Sequence, residues 1–504
     1  MAATNSLLFN WRNVDELPDL DRLKLVLDHL PDRELIEELE RRRGNGRNDF
    51  PVQAMWRLHI AGIVFQHPST ESLLREANRN PKLLEICGFE ALPRQSAPEY
   101  SIGRDPETGR CHAEVRHAEC RSTVPSSWNM SRFRAGLKAV EAESGLVSGV
   151  VARLRHELMG EVDDFGVRIG YDGKAVKSHS SGRKDCAGGK ASDPDAAWGA
   201  HEYKWTDGRT GEPRSKKKTW FGYRMHVIAD SRHETPLAVK VTPASVGESP
   251  ALHAMLTEIF DEQSPHLADR ARFFSADRGL DEARLRERLF DDYGIVPVID
   301  NCRRWRIEKK EGGYDPKARV TRPLYPERAD NIVYDEAGRL YCHEPQSAQS
   351  DIDAKPATVR QMVYFGHDKQ RGSLKFRCPA AVYDLECAGK AQCLENAGSK
   401  AERYGRTVRV PLQGSNRRIF KPIMKGSRTW KKEYSRRSAL ERVYSRVDQG
   451  YFMDRHYLRG LPSMQLRANL TVAVMMAMAL GRARTDRRSH MRSLIRPVEF
   501  RDAG

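Results

Sequence analysis

Cysteine is scarce in this sequence and odd in number: nine residues scattered over 504 positions. Such a pattern does not make a disulfide framework, so the thiols are expected to be reduced or held on a metal. Long apolar runs are missing too. The longest, Leu470 to Leu480, is too short to cross a bilayer, and Met1 to Trp11 lacks the basic-then-apolar order of a secretory leader. These two absences give the expectation of a cytoplasmic chain with no membrane partner. No coiled-coil stretch announces an oligomer.

What is plentiful is positive charge. Lys and Arg outnumber Asp and Glu by 85 to 69, a formal charge of +16, which favours a polyanionic partner because clustered cations neutralise phosphates and release counterions. A merely well-solvated basic surface would look the same by charge alone. The length leaves room for roughly two to four domains and a large core.

Arg168 to Val176 (RIGYDGKAV) reads as a strand that delivers Asp172 at its end, with glycine next. Trp220 to Asp230 and Leu237 to Thr242 are short, β-branched or aromatic, and alternating, so both are predicted strands. Ser249 to Phe260 has a Ser-Pro start and Leu252, Leu256, Ile259 and Phe260 at helical spacing. Arg272 to Ala276 is a strand ending in Asp277; Asp281 to Phe290 is a helix and Ile295 to Ile299 a further strand. Strand ends in such sheets gather ligands and catalytic groups. A third acid, Glu441, lies on a predicted helix whose spacing puts Tyr434, Arg437 and Glu441 on one face. A carboxylate beside an arginine stays ionised, which suits a metal ligand.

With these residues in view the chain resembles the DDE transposases of bacterial insertion sequences. The resemblance rests on the strand-borne Asp172, on "SADRGLD" around Asp277, on the Y-x2-R-x3-E helix of Tyr434, Arg437 and Glu441, and on "GYRMH" at Gly222 to His226. The last is similar to a Gly-x-Lys-x-His region, with Arg224 where lysine is usual. The family's helix often carries lysine seven residues after the glutamate; here Asp448 stands there, so either Arg446 supplies the charge or the chain lacks it. The resemblance implies an α/β fold: a ribonuclease-H-like mixed sheet with flanking helices, interrupted by a β-rich insertion and preceded by a helical N-terminal domain. It implies Asp172, Asp277 and Glu441 as catalytic acids holding Mg²⁺ or Mn²⁺, two ions in all. The implied partner is double-stranded DNA, both element ends and target, bound by a homodimer in a bacterial, nucleoid-associated setting.

The domain reading follows. Residues 1–150 are mostly helical and serve DNA-end binding or, failing that, packing and dimerisation; Leu92 to Ser127 is read as a loop, after which Ser131 caps a helix. Residues 160–300 hold the first part of the core, 301–420 the β-rich insertion, 421–482 the second part with Glu441, and 483–504 a basic tail that frays. Lys177 to Thr219, rich in Gly, Ser and Lys, is read as a long mobile loop, and its RSKKK run at Arg214 to Lys218 as a phosphate contact or, more often for a lone charge run, a solvated loop.

Inside the insertion, Cys342, Cys378, Cys387 and Cys393 are candidate Zn²⁺ ligands, with His343 or His367 as substitutes, or else four reduced thiols. From Arg403 to Arg446 there are fourteen Lys or Arg against Glu433 and Glu441. Arg417, Arg418, Lys425, Arg428, Lys431 and Lys432, with Trp430, Tyr434 and Arg437, are the predicted DNA contacts, cations for phosphates and rings for a flipped or frayed base. The resemblance assigns the roles: Asp172 would bridge the metals, Asp277 and Glu441 would each hold one, and Arg437 would orient Glu441 or a scissile phosphate. His226 reads as a core histidine or a site residue. Two other readings share these features: a DNA-binding protein derived from a transposase, and a ribonuclease-H-like nuclease that cuts without joining.

Overall fold

The computed structural model describes residues 18–45, 50–89, 99–104, 108–109, 111–116, 123–182, 192–207, 209–210, 212–305, 320–327, 330–343, 359–390, 393, 405–485 and 487–493. At its centre is a mixed sheet built on the Asp172 strand, Arg168–Lys177. On one edge this strand pairs antiparallel with the long strand Pro213–Asp230, whose other edge takes Thr235–Pro243, again antiparallel. On its opposite edge it runs parallel to Phe273–Ala276, which runs parallel to Val296–Ile299. The two parallel strands are buried almost end to end, and their sequences are apolar except for buried Ser275. With helices on its faces, this mixed α/β sheet is consistent with a ribonuclease-H-like transposase fold.

The helix Glu248–Leu256 buries Ala251, Leu252, Met255 and Leu256 against the antiparallel strands. Leu461–Arg484 is buried nearly throughout and packs on Thr235–Pro243, on Leu146–Glu161 and on Pro18–Asp28. By length and composition it passes for a membrane span, but 89% of its apolar window is buried inside the protein, as in a core helix. Among the described residues between Pro18 and Glu161, the helices Pro18–Asp28, Val52–Val64, Ser127–Ser144 and Leu146–Glu161 pack on it. Buried side chains of the front segment, Leu23, Trp56, Leu83, Leu137 and Leu154 among them, belong to the same hydrophobic cluster as Tyr171, Phe274 and Leu440 of the sheet region. The front helices and the sheet therefore share one core.

The insertion has its own core, with Ile332, Leu340, Leu374, Phe376, Val408 and Val410 at its centre. It contains a four-stranded and a three-stranded sheet, both antiparallel.

Four local readings are corrected. Lys177 to Thr219 contains paired strand among its described residues: Ala197–Thr206 pairs antiparallel with Pro213 to Gly222, so the long strand extends past the sheet as a two-stranded ribbon. Gly222 sits where the ribbon leaves the sheet, with φ +151 and a Cβ position only 2.4 Å from Ser178 N and Val176 O, which no side chain could share. Within Leu92 to Ser127, Glu99–Arg104 pairs with Cys111–Arg116 as a hairpin. The following helix starts earlier than Ser131, capped by Ser126 in a reciprocal box with Asn129. The start of the supposed fraying tail is ordered: Arg482 is buried in the Leu461–Arg484 helix, Arg484 bonds Glu157 at 2.8 Å and Arg492 bonds Glu234 at 2.6 Å. Residues 494–504 lie outside the described residues.

Candidate active site

Asp172 is the fifth residue of its ten-residue strand rather than its end. The parallel ladder explains why it still works as an end position. The last pair between the two strands is Gly170 with Ser275, so Asp172 and Asp277 each lie two residues beyond it, at one level on adjacent strands. Asp277 is exposed and caps a short 3₁₀ turn, accepting from Arg278 N at 2.7 Å. Asp172 is half-buried and accepts from Gly173 N at 3.0 Å. Burial pushes its carboxyl up to about 6, and the charges of Glu248 and Asp277 push the same way against the Gly173 N–H and Arg437.

Glu248 was not foreseen. It opens the helix that follows strand Thr235–Pro243, one residue ahead of the Ser-Pro start, and its side chain lies against the backbone of Gly173. Arg224 Nη1 donates to Glu248 Oε1 at 2.9 Å. Burial raises the Glu248 carboxyl; Arg224 and His201 oppose the shift and Asp277 adds to it. An acid in a first helical turn, just after a strand beside the Asp172 strand, was the available signal.

Glu441 lies on helix Ser438–Ser445, and the single helix expected from Tyr434 to Glu441 is instead two. Arg428–Ser435 ends first, and the chain tightens through i to i+3 bonds from Arg437 N to Tyr434 O and from Leu440 N to Arg437 O. Tyr444 fixes the second helix to the sheet, its hydroxyl 2.7 Å from Asp172 O and 2.9 Å from Met225 O. The Glu441 carboxylate is 61% exposed and pairs with Arg437 at 3.3 Å, while Arg437 also acts on Asp172. Tyr434 stacks on Trp430 with centroids 4.5 Å apart, and its hydroxyl is raised by burial first and then by Asp300 and Asp277 among its neighbours. Arg437 and Tyr434 thus face the two aspartates.

The basic run divides. Arg428, Lys431 and Lys432 are exposed. Arg417 and Arg418 are buried and paired within the protein: Arg417 bonds Asp291 at 2.6 Å, and Arg418 bonds Asp281 at 2.8 Å and Glu336 at 2.7 Å. Lys421 is buried on Asn301, Lys425 pairs with Asp300, and Trp430 is buried. These groups brace the insertion against the core. Arg446 turns to Glu234 and to the Arg492 carbonyl, so it does not replace the missing lysine; Asp448 is ion-paired with Lys174, two residues after Asp172. His226 is a core residue, bonded to Tyr171 at 2.7 Å and Thr242 at 2.9 Å.

The family model described as "Transposase DDE domain" matches residues 169–477, and a transposase domain model (DUF772) matches residues 12–102. The chain belongs to the DDE transposase family. No curated protein matches it. DDE transposases act on DNA and generally use divalent metal ions. In this transposase the oxygen donors suit a hard cation: Asp172 and Asp277 crowd like charges at one level, with the pKa of Asp172 raised, and Glu441 is free of the core. Among the described residues no three His, Cys, Asp or Glu side chains already stand at metal-ligand spacing.

Three of the insertion cysteines, Cys342, Cys378 and Cys393, are linked through Asn331 and Arg406. Asn331 Nδ2 donates to Cys342 Sγ at 3.3 Å, Arg406 Nη1 donates to Asn331 Oδ1 at 2.8 Å, and Arg406 also bonds Cys393 while its carbonyl accepts from Cys378 N at 2.9 Å. Burial pushes the Cys342 thiol up to about 12, with Cys393, Cys378 and Cys387 each adding to the shift. His367 packs edge-on against Phe290, and the Asn331 side chain bonds the backbone carbonyl of His343 at 2.8 Å.

Proposed function

We propose that this transposase cuts DNA at the ends of an insertion sequence and joins the freed ends to target DNA. Asp172, Asp277 and Glu441 bind the divalent ions, and the observation that carries the reading is the common level of Asp172 and Asp277 beneath a helix bearing Arg437 and Glu441. The bound ions supply Lewis-acid activation and charge neutralisation for an in-line phosphoryl displacement. In the first displacement a water oxygen bonds to phosphorus, and the strand's 3′ oxygen leaves and takes up a proton. In the second that 3′ hydroxyl attacks a target phosphorus, loses its proton and displaces the target's own 3′ oxygen. No bond to the enzyme forms. Arg437, paired with Glu441 at 3.3 Å and acting on Asp172, neutralises the scissile phosphate; exposed Arg428, Lys431 and Lys432 hold the DNA beside it. Two copies of the chain would pair two ends, since transposition joins both.

The test is cleavage and strand transfer on labelled DNA carrying the ends that flank the reading frame, with Mg²⁺ or Mn²⁺, for the parent, Asp172→Ala and Glu441→Ala. End-specific cutting and joining in the parent, lost in both variants, is the expected result. End binding without cutting in the parent would leave a DNA-binding protein, and cutting without joining a nuclease.

A further inference from the structure

The ribbon formed by Ala197–Thr206 and Pro213 to Gly222 projects beyond the sheet. Directly opposed residues of an antiparallel pair share a face and alternate positions share it along each strand. The register pairs His201 with Lys218, Tyr203 with Lys216 and Trp205 with Arg214. One face therefore presents three rings in a row, each across from a cation. All of them are exposed, Tyr203 by 49% and Trp205 by 47%, and His201 packs edge-on to Tyr203 at 4.5 Å. Arg214 is 54% exposed while bonding Asp207 in the turn at 2.9 Å.

A ribbon tip that only needed to be soluble would not carry Tyr and Trp in the open, and one that only needed to hold duplex phosphates would not need rings. Exposed Tyr203 and Trp205, on one face and each across from a cation, suit an unstacked strand whose bases lie on the rings and whose phosphates meet the cations. The inner end of the row lies toward Glu248. There His201 and Lys218 lie near enough to act on Glu248 and on Lys174, and Arg224 follows on the same strand and face.

We propose that this face of the ribbon, Tyr203 and Trp205 with Arg214, Lys216 and Lys218, holds an unpaired stretch of the DNA strand that enters the acid site. The inference rests on the DNA-cutting reading for what the strand is, but not for whether it binds. It assigns to the ribbon the frayed end, and leaves paired DNA to Arg428, Lys431 and Lys432.

The experiment uses the full chain carrying Asp172→Ala, so that binding is read without cutting. Anisotropy is followed on a fluorescein-labelled duplex and on the same duplex with an unpaired overhang, over a range of salt. Tyr203→Ala with Trp205→Ala is expected to weaken overhang binding at least about tenfold and leave duplex binding within about twofold, and the pair of Phe substitutions to restore the overhang preference. Lys216→Ala with Lys218→Ala is expected to flatten the salt dependence on the overhang substrate by about one to two in log–log slope. The proposal is overturned if ring removal leaves overhang binding unchanged, or if it weakens both substrates equally in protein whose melting temperature matches the parent. If the ribbon result holds while end-specific cutting fails in the unsubstituted chain, only the cleavage reading falls.

Discussion

Arg224 and Glu248 are joined at 2.9 Å across the backbone of Gly173, the residue whose N–H holds the Asp172 carboxylate. This pair gives the site a fourth carboxylate and a shape constraint. A Cβ on Gly173 would come 2.9 Å from Glu248 Cγ. That atom belongs to a flexible side chain, so Gly173→Ala is expected to displace Glu248 and keep the fold. Strand cleavage by Gly173→Ala and by Glu248→Ala should fall on the order of ten- to a hundredfold, the scale on which partners surrounding a metal's ligands act. Single-turnover cleavage with thermal melting checks it: parent-like rates in Glu248→Ala would make the residue a helix-start acid only.

Arg418 supports a second prediction, because its burial separates a bracing role from a DNA role. Asp281 is fully buried between Arg286 at 2.8 Å and Arg418 at 2.8 Å. Arg418→Ala leaves that carboxylate with one partner fewer in a dry setting, a loss of about 3–5 kcal/mol by comparison with other broken buried pairs. Urea unfolding should show it as a lowered midpoint. Lys431→Ala with Lys432→Ala should show the opposite profile: unchanged unfolding, weaker DNA binding and a shallower salt dependence.

The sheet was legible because its strands announce themselves by alternation and its acids by position after apolar runs. Arg168–Lys177 carries alternation, and Phe273–Ala276 carries the second signal, a short apolar run with Asp277 directly after it. The ribbon was not. Trp198, Tyr203 and Trp205 are strand formers, but Gly, Ser and Lys dominate the stretch around them, and composition hid a pairing that only the partner strand makes visible. Charge misled in the same way at Arg417 and Arg418. A run of cations reads as solvated or DNA-bound until the acids that meet it, Asp281 and Asp291, are brought from more than a hundred residues away. Glu248 was passed over because a lone acid at a helix start usually serves the helix dipole.

His226 gives a pH prediction. Its ring is buried between Tyr171 and Thr242, and burial, with Arg224 and Lys240 adding, pulls its pKa down from 6.5 to about 4. The folded state therefore holds fewer protons than the unfolded one between these values, so stability is full above pH 6.5 and declines as pH falls toward 4. One such group is worth at most about 3 kcal/mol over that interval. His226→Gln should be less stable than the parent at neutral pH, and the gap should narrow on acidification; a constant gap in urea midpoints would show that the ring is not held neutral.

The last prediction concerns the insertion, whose core is small and in which Asn331 and Arg406 bond to Cys342, Cys378 and Cys393 or their neighbours, with Cys387 acting on Cys342. Cys342 has its thiol pushed up by burial and by three other sulfurs, which is costly to ionise alone and is relieved by a soft cation that holds thiolates. Zn²⁺ is the ion such a set takes. Protein purified without chelator is expected to contain about one equivalent by elemental analysis, and chelation to lower the melting of the insertion while the sheet keeps its own transition. Cys342→Ser and Cys378→Ser should each lose the metal. Metal-free parent protein with the same melting curve before and after chelation would instead establish four reduced thiols, and would leave the insertion to be held by its apolar core and by the Arg417 and Arg418 braces.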